Sequence, residues 1–256
     1  MGPTMAGHSK WANIKRQKAR VDALKGQVFA KLSREMMVAA RLGSPDPAAN
    51  FRLRTAVDKA KAAGMSQENI ERAIAKGAGL LGTDAESLAA VRYEGYAAGG
   101  VAVLIEALTD NRNRTAGEIR AAFNKYGGHL GETGCVGWMF TQVGWIEMPG
   151  MTSEDDLLAA AMQVPATGYE WDGDTAALLT EPLALEAVVT ALQQAGYRVG
   201  TALTRWQPTT TVTITDVEWG RKVVRLLEAL EDLEDVQTVS ANFEMDDAVW
   251  AALMGS

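Results

Sequence analysis

At Gly77-Ala78-Gly79-Leu80-Leu81-Gly82 the chain changes texture. Before this tract apolar residues recur at helical spacing, and after it short apolar runs alternate with helical stretches, so two kinds of packing must share one polypeptide. Val21, Leu24, Val28, Leu32, Met36 and Ala39 form one stripe, with Lys25, Lys31, Arg34 and Arg41 distributed around it, and Gly43 ends that helix. A second helix is expected from Asp46 as N-cap and Pro47 at the first helical position, burying Leu53, Val57 and Ala60 and stopping at Gly64. A third starts at Ser66, with Met65 and Ile70 placed for a hydrophobic staple, and finishes before Gly77. Three such stripes close a small bundle. Residues 6–20 hold only Trp11 and Ile14 as large apolar groups, which predicts a mobile arm or frayed helix.

Downstream, Val91–Tyr96 and Val101–Leu108 read as strands about a Gly99-Gly100 turn. Thr115 and Glu118 make a Thr-x-x-Glu capping box for a helix ending at Gly127-Gly128. Strand 143–148, helix 153–163, strands 167–171 and 176–180, helix 183–195 and strand 199–204 then follow in the split β-α-β-β-α-β order. With that unit removed, its flanks read strand 101–108, helix 116–126, strand 209–215, helix 217–231 and strand 236–244. The expected fold class is α+β, an N-terminal helical bundle followed by two ferredoxin-like α/β domains, one inserted in the other. The expected divisions are a flexible basic arm at 1–20, a helical domain at 21–80, a discontinuous α/β domain at 81–135 and 207–256, and the inserted α/β domain at 136–206.

Charge changes sign where the texture does. Residues 1–80 carry 15 Lys and Arg against 6 Asp and Glu, and residues 81–256 carry 10 against 26, within a chain of net charge −7. A uniformly acidic protein would be repelled by phosphate, but a basic segment tethered to an acidic body can touch nucleic acid at one face. Apolar runs such as Val101–Ile105 are far shorter than a membrane span, and the start MGPTMAGHSK has no apolar stretch of a secretory signal, so the cytoplasm is the expected compartment. A lone Cys135 forms no internal disulfide, and with only His8 and His129 there is no Cys/His cluster for zinc. No cofactor is expected. The Gly77–Gly82 tract matches the dinucleotide pattern GxGxxG, but it follows a helix rather than a strand and reads as a hinge.

Two basic constellations stand out. In the arm, Lys10, Lys15, Arg16, Lys18 and Arg20 accompany Trp11 and Asn13, combining phosphate-neutralising cations with one stacking ring, and Lys25 extends the set into the first helix. A solvated helix face is the alternative. The second is Asp110-Asn111-Arg112-Asn113-Arg114-Thr115, at a helix N-terminus, which reads either as a phosphate or carboxylate clamp or as a turn held by its Asp and Asn. The acidic groups Glu154-Asp155-Asp156 and Glu228, Glu231, Asp232, Glu234 and Asp235 read as solvated faces. The tryptophans at 138, 145, 171, 206 and 219 read as core. No general base is paired with a nucleophile, so catalysis is not expected; an enzyme clamping a phosphorylated or acidic small molecule with Arg112 and Arg114 is the rival reading.

The stretches GHSKWANIKRQKA at 7–19, RLRTAVDKAK at 52–61, YEGYAAGG at 93–100 and TDNRNRTAGEIRAAFNKYGGHLGETG at 109–134 resemble the YebC family. The resemblance spans roughly residues 5–245, with Ala97-Ala98 standing where Gly-Pro is common in the family. It implies a helical domain followed by two α/β domains and a non-enzymatic factor acting on gene expression through nucleic acid. Family members are usually assigned as transcriptional regulators, which implies DNA as partner; relatives act in translation, which implies ribosomal RNA and the ribosome. Carried over by position, it marks His8, Ser9, Lys10, Trp11, Asn13 and Lys15, and Asn111, Arg112, Asn113, Arg114 and Thr115.

Overall fold

The computed structural model describes residues 25–81, 88–173 and 175–254. Its helical part comprises α1 (Lys25–Leu42), α2 (Phe51–Ala62) and α3 (Gln67–Gly77) around Leu32, Met36, Leu53, Val57 and Ile70. Ser66 caps α3 as expected, and Met65 lies in the same core as Ile70. The second helix differs from expectation. Asp46 caps only a 3-10 turn, Pro47–Ala49, and the α-helix opens afresh at Phe51. The cause is Asn50, whose Oδ1 accepts from Leu53 N at 3.0 Å while its amide donates to the carbonyls of Ala39 at 2.9 Å and Ser44 at 2.8 Å. One side chain thus caps α2 and ties it to the end of α1, where the Ala39 carbonyl also accepts from Gly43 N at 3.1 Å.

Gly77 shows what the first glycine of the GxGxxG tract does. It ends α3 against the backbone of α1, where a Cβ would lie 2.3 Å from the Met37 carbonyl oxygen, so any side chain would force the helices apart. Gly79, at φ +73°, then turns the chain out of the helix.

The next strands, β1 (Ala89–Tyr96) and β2 (Ala102–Thr109), form an antiparallel hairpin, followed by α4 (Arg112–Lys125) and the short β3 (His129–Leu130). The chain returns to this unit after residue 208 with β8 (Val212–Ile214), α7 (Val217–Glu231), β9 (Val236–Ala241), β10 (Phe243–Met245) and α8 (Asp247–Met254). The sheet order is β3-β1-β2-β9, all antiparallel, and β8 and β10 pair in parallel beside it. Ile119 and Phe123 of α4 and Val223, Leu226, Leu227 and Leu230 of α7 pack against Val103 and Ile105 of β2. Ala102 and Leu104, alternating with them, meet Val136 and Phe140 on the opposite face. Burial on both faces is why β2 is an unbroken apolar run.

Between these two halves lie β4 (Phe140–Glu147), α5 (Glu154–Ala161), β5 (Ala166–Trp171), β6 (Ala176–Thr180), α6 (Leu185–Gln194) and β7 (Ala202–Pro208). Their sheet order, β5-β6-β4-β7, is that of the split β-α-β unit read from the sequence. Ile146, Leu157, Leu178, Val188 and Leu192 form its core.

The helical part docks on both α/β units. Phe51 packs against the core of the inserted unit, and Arg54 Nη2 lies 2.8 Å from Glu186 Oε1. On the other side Lys31 donates to the Glu231 carbonyl, and Arg34 donates to the Glu234 carbonyl at 2.8 Å and to its Oε1 at 2.7 Å. Among the described residues no helix is long and apolar enough to cross a membrane.

Candidate nucleic-acid interface

The arm residues His8, Ser9, Lys10, Trp11, Asn13, Lys15, Arg16, Lys18 and Arg20 lie outside the described residues, and of Lys25 only the backbone, which opens α1, is described. The cations of the bundle divide into two sets. Lys31, Arg34 and Arg54 are spent on docking, and Lys59 and Arg72 face Glu35 and Glu68. Arg41, Arg52, Lys61 and Lys76 remain exposed. Arg41 and Lys76 line a cleft of about 250 Å³ with Arg34 and Met37 from α1 and Asp110 and Glu234 from the outer α/β unit.

The residues at 111–115 fall into separate roles. Asn111, not Thr115, is the N-cap of α4: its Oδ1 accepts from Arg114 N at 3.1 Å, and its own N–H donates to Thr109 Oγ1 at 2.9 Å. The expected Thr-x-x-Glu capping box is therefore absent. The helix begins one turn earlier because Asn111 already satisfies the orphan donor, which frees Thr115 to turn inward. Thr115 is fully buried, and its hydroxyl lies 2.6 Å from Asp235 Oδ2. Arg114 reaches the same oxygen at 2.8 Å and Asp110 Oδ1 at 2.8 Å, and the Asp235 carboxylate raises the pKa of its guanidinium. Arg112 and Asn113 face solvent, and the Arg112 carbonyl accepts from Tyr93 Oη at 3.1 Å. The two arginines do not converge on one empty clamp.

Asp235 was hidden in the sequence. It stands in the acidic run after α7, all of which reads as solvated, yet it is 2% exposed. Its Oδ2 accepts from Thr109 at 3.1 Å, Thr115 at 2.6 Å and Arg114 at 2.8 Å, and Arg34 from the bundle lies 3.4 Å from its Oδ1. Thr109 and Thr115, polar residues in buried positions, were the visible half of this node. Burial pushes the Asp235 carboxyl up, but the bonds from Arg114, Thr115 and Thr109 outweigh it and hold the pKa below the ordinary value.

Glu94 is a second buried carboxylate, where β1 meets the loop leading to the inserted unit. Its Oε2 accepts from Val136 N at 2.8 Å and Gly137 N at 2.7 Å, and Arg92 Nε lies 3.4 Å from Oε1. Burial raises its pKa and these backbone donors lower it, with a net fall. Because both carboxyls are depressed in the folded state, the unfolded chain binds more protons in acid. Their contribution is complete above about pH 5 and is lost as pH falls below about 4. Urea midpoints measured from pH 7 to 2.5 should be flat and then fall, and an Asp235→Asn chain should show a shallower fall; parallel curves would remove Asp235 from this account.

The same loop corrects the reading of the tryptophans. Trp145 is buried, but Trp138 is 69% and Trp219 is 49% exposed. Trp138 Nε1 donates to the Cys135 carbonyl at 3.2 Å, which orients the exposed indole. His129, exposed in its Gly-rich turn, stacks on Tyr96 with ring centroids 5.5 Å apart.

Comparison with known proteins agrees with this architecture. The family profile described as TACO1/YebC protein N-terminal domain matches residues 9–80, and that described as TACO1/YebC second and third domain matches residues 88–243. A protein of Synechococcus elongatus named a probable transcriptional regulatory protein is 58% identical over 249 residues, covering 97% of this chain and 98% of its own. A Cyanothece protein of the same description is 58% identical over 247 residues, covering 95% and 97%. The crystal structure of a conserved hypothetical protein from Aquifex aeolicus superposes with a TM-score of 0.82 at 49% identity, covering 90% of this chain and 94% of that one. With both profiles matched along nearly its whole length, the chain belongs to the TACO1/YebC family.

Proposed function

We propose that this protein is a non-enzymatic regulator of gene expression that binds nucleic acid through its basic N-terminal segment. The observation that carries the reading is the separation of charge: 15 of the 25 Lys and Arg residues fall in the first 80 positions. Docking takes up Lys31, Arg34 and Arg54, so the acidic units hold the bundle while Arg41, Arg52, Lys61 and Lys76 stay available to phosphate. The names of the relatives, probable transcriptional regulatory proteins, point to the same class. A non-catalytic role is favoured because the buried carboxylates Glu94, Glu170 and Asp235 are each committed to neighbouring groups, Glu170 to Trp145 and Arg205 and the other two to holding neighbouring chain in place.

The arm, 1–20, acts as the contact, 21–80 as its base, and the α/β units at 81–135 with 207–256 and at 136–206 as the body that orients it. The mechanism is electrostatic docking followed by stacking of Trp11, with His8, Ser9, Asn13, Arg20 and Lys25 adding polar and phosphate contacts. Replacing Lys10, Lys15, Arg16 and Lys18 together by Ala should weaken binding at least tenfold near 50 mM salt and reduce the slope of log affinity against log salt by about 3. Fluorescence anisotropy with labelled RNA and DNA measures both, and an unchanged slope would remove the arm from the mechanism. One stacking ring beside the cations favours RNA with unpaired bases, and hence translation on the ribosome, as the second reading. A lysate gradient separates the two: ribonuclease-sensitive migration with ribosomes supports translation, and retention on one promoter fragment over competitor DNA supports transcription.

A further inference from the structure

The acidic part of the chain has its own basic face. Of the 10 Lys and Arg residues between positions 81 and 256, seven lie on just two helices: Arg112, Arg114, Arg120 and Lys125 on α4, and Arg221, Lys222 and Arg225 on α7. These helices are neighbours and antiparallel. At one end Arg114, in the first turn of α4, meets Asp235 just beyond α7. At the other, a Cβ on Gly127, just beyond α4, would lie 3.7 Å from Lys222 Cδ near the start of α7. Their apolar sides, Ile119 and Phe123 against Val223, Leu226 and Leu227, are turned into the core. The cations are therefore left on the outer side, gathered from segments about 100 residues apart.

Ion pairing consumes Arg114, held by Asp110 and Asp235, and Arg221, held by Glu218. Among the described residues Arg112, Arg120, Lys125, Lys222 and Arg225 have no carboxylate partner, and all five are exposed. The acidic residues on these helices are Glu118, Glu218, Glu228 and Glu231; Glu218 is taken by Arg221, Glu231 lies at the bundle end, where its carbonyl accepts from Lys31, and Glu118 and Glu228 are outnumbered by the five free cations. The free cations at the Gly127 end adjoin an aromatic. Trp219 is one turn before Lys222 on α7, half-exposed, with its ring over the Gly99 turn, where a Cβ would come within 3.0 Å of it. Lys125 sits over the Tyr126 ring, 5.3 Å from its centroid.

We propose that this α4–α7 face is a second polyanion-binding surface and that its occupant is RNA carrying unpaired bases. Lys125, Lys222, Arg120 and Arg225 neutralise successive phosphates, and Trp219 offers a face to one base beside them. Charge complementarity selects a polyanion, since these cations are concentrated on a unit that is otherwise acidic. The exposed ring selects unpaired RNA over a closed duplex, whose stacked bases cannot reach it. The inference rests on the nucleic-acid reading above and deepens it: the protein grips RNA with its basic N-terminal segment and with the outer α/β unit.

The test uses the full chain and two variants, Arg120/Lys125/Lys222/Arg225→Ala and Trp219→Ala, with matched circular dichroism spectra as the folding control. The probes are a labelled RNA stem with an eight-nucleotide loop and a DNA duplex with the stem sequence. The four-site variant should lose about tenfold or more for the looped RNA, with a salt slope smaller by about 2. Trp219→Ala should lose about fivefold or more for the looped RNA and remain within about twofold for the duplex. If the arm variant loses binding while both of these bind like the parent chain, the second surface is overturned and the arm reading stands. If the parent chain binds neither probe, both fall. Equal losses for loop and duplex would overturn the choice of unpaired RNA. Should a variant misfold, Arg120→Glu and Lys222→Glu tested singly give the same comparison with less disturbance.

Discussion

An Asp235→Ala chain is expected to unfold about 3 kcal/mol more easily than the parent protein. The substitution removes the acceptor shared by Thr109, Thr115 and Arg114; Thr115 keeps the Asn111 carbonyl at 3.0 Å, but the buried Thr109 hydroxyl and part of a guanidinium lose their partner. Arg114 is 44% exposed and recovers water, which keeps the cost at the lower end of the range for breaking a buried pair. The loss also reaches the bundle, because Arg34 faces Asp235 from α1 at 3.4 Å. Asp235→Asn, which keeps an acceptor for the threonines but not the charge, should cost about half as much. Urea unfolding followed by circular dichroism measures both, and an alanine variant within about 0.5 kcal/mol of the parent would show that the node is not structural.

Glu94→Ala should be nearly as costly, at about 2 to 4 kcal/mol, for a different reason. Its carboxylate takes the N–H groups of Val136, which is buried, and Gly137, which is partly buried, and those donors would lose their acceptor. Gly137 is shaped to this contact, since a Cβ there would lie 3.1 Å from Glu94 Oε1. The expected result is local before it is global: hydrogen exchange at Val136 and Gly137 should accelerate by about 100-fold or more, with a fall of roughly 5 to 10 °C in the melting temperature. Glu94→Gln should show the same pattern at about half the size. Retained protection at the two amides in the alanine variant would mean that another group holds the loop.

These two residues mark where sequence reading stops. Ser66 as a cap, Met65 with Ile70, the Gly99-Gly100 turn and the split order of the inserted unit were legible because each depends on spacing within a few residues. Asn50 and Asn111 displaced the expected caps Asp46 and Thr115 through their partners, Ala39 and Ser44 for one and Thr109 for the other. Trp138 and Trp219 look like core residues by type, and only the packing around them leaves them on the surface.

Local order along the chain determined the helical stripes, the alternation of strands and helices and the reversal of charge near residue 80, because periodicity and charge are properties of neighbours in sequence. Tertiary structure alone decided that Asp235 is buried while Glu234 beside it stays in solvent, since a buried carboxylate needs donors, and Arg34 on one side and Thr109, Arg114 and Thr115 on the other come from two segments far from it in sequence. It also gathered the cations of α4 and α7 onto one face across the inserted unit, because the apolar sides of both helices share one core and their charged sides must then point the same way, toward water.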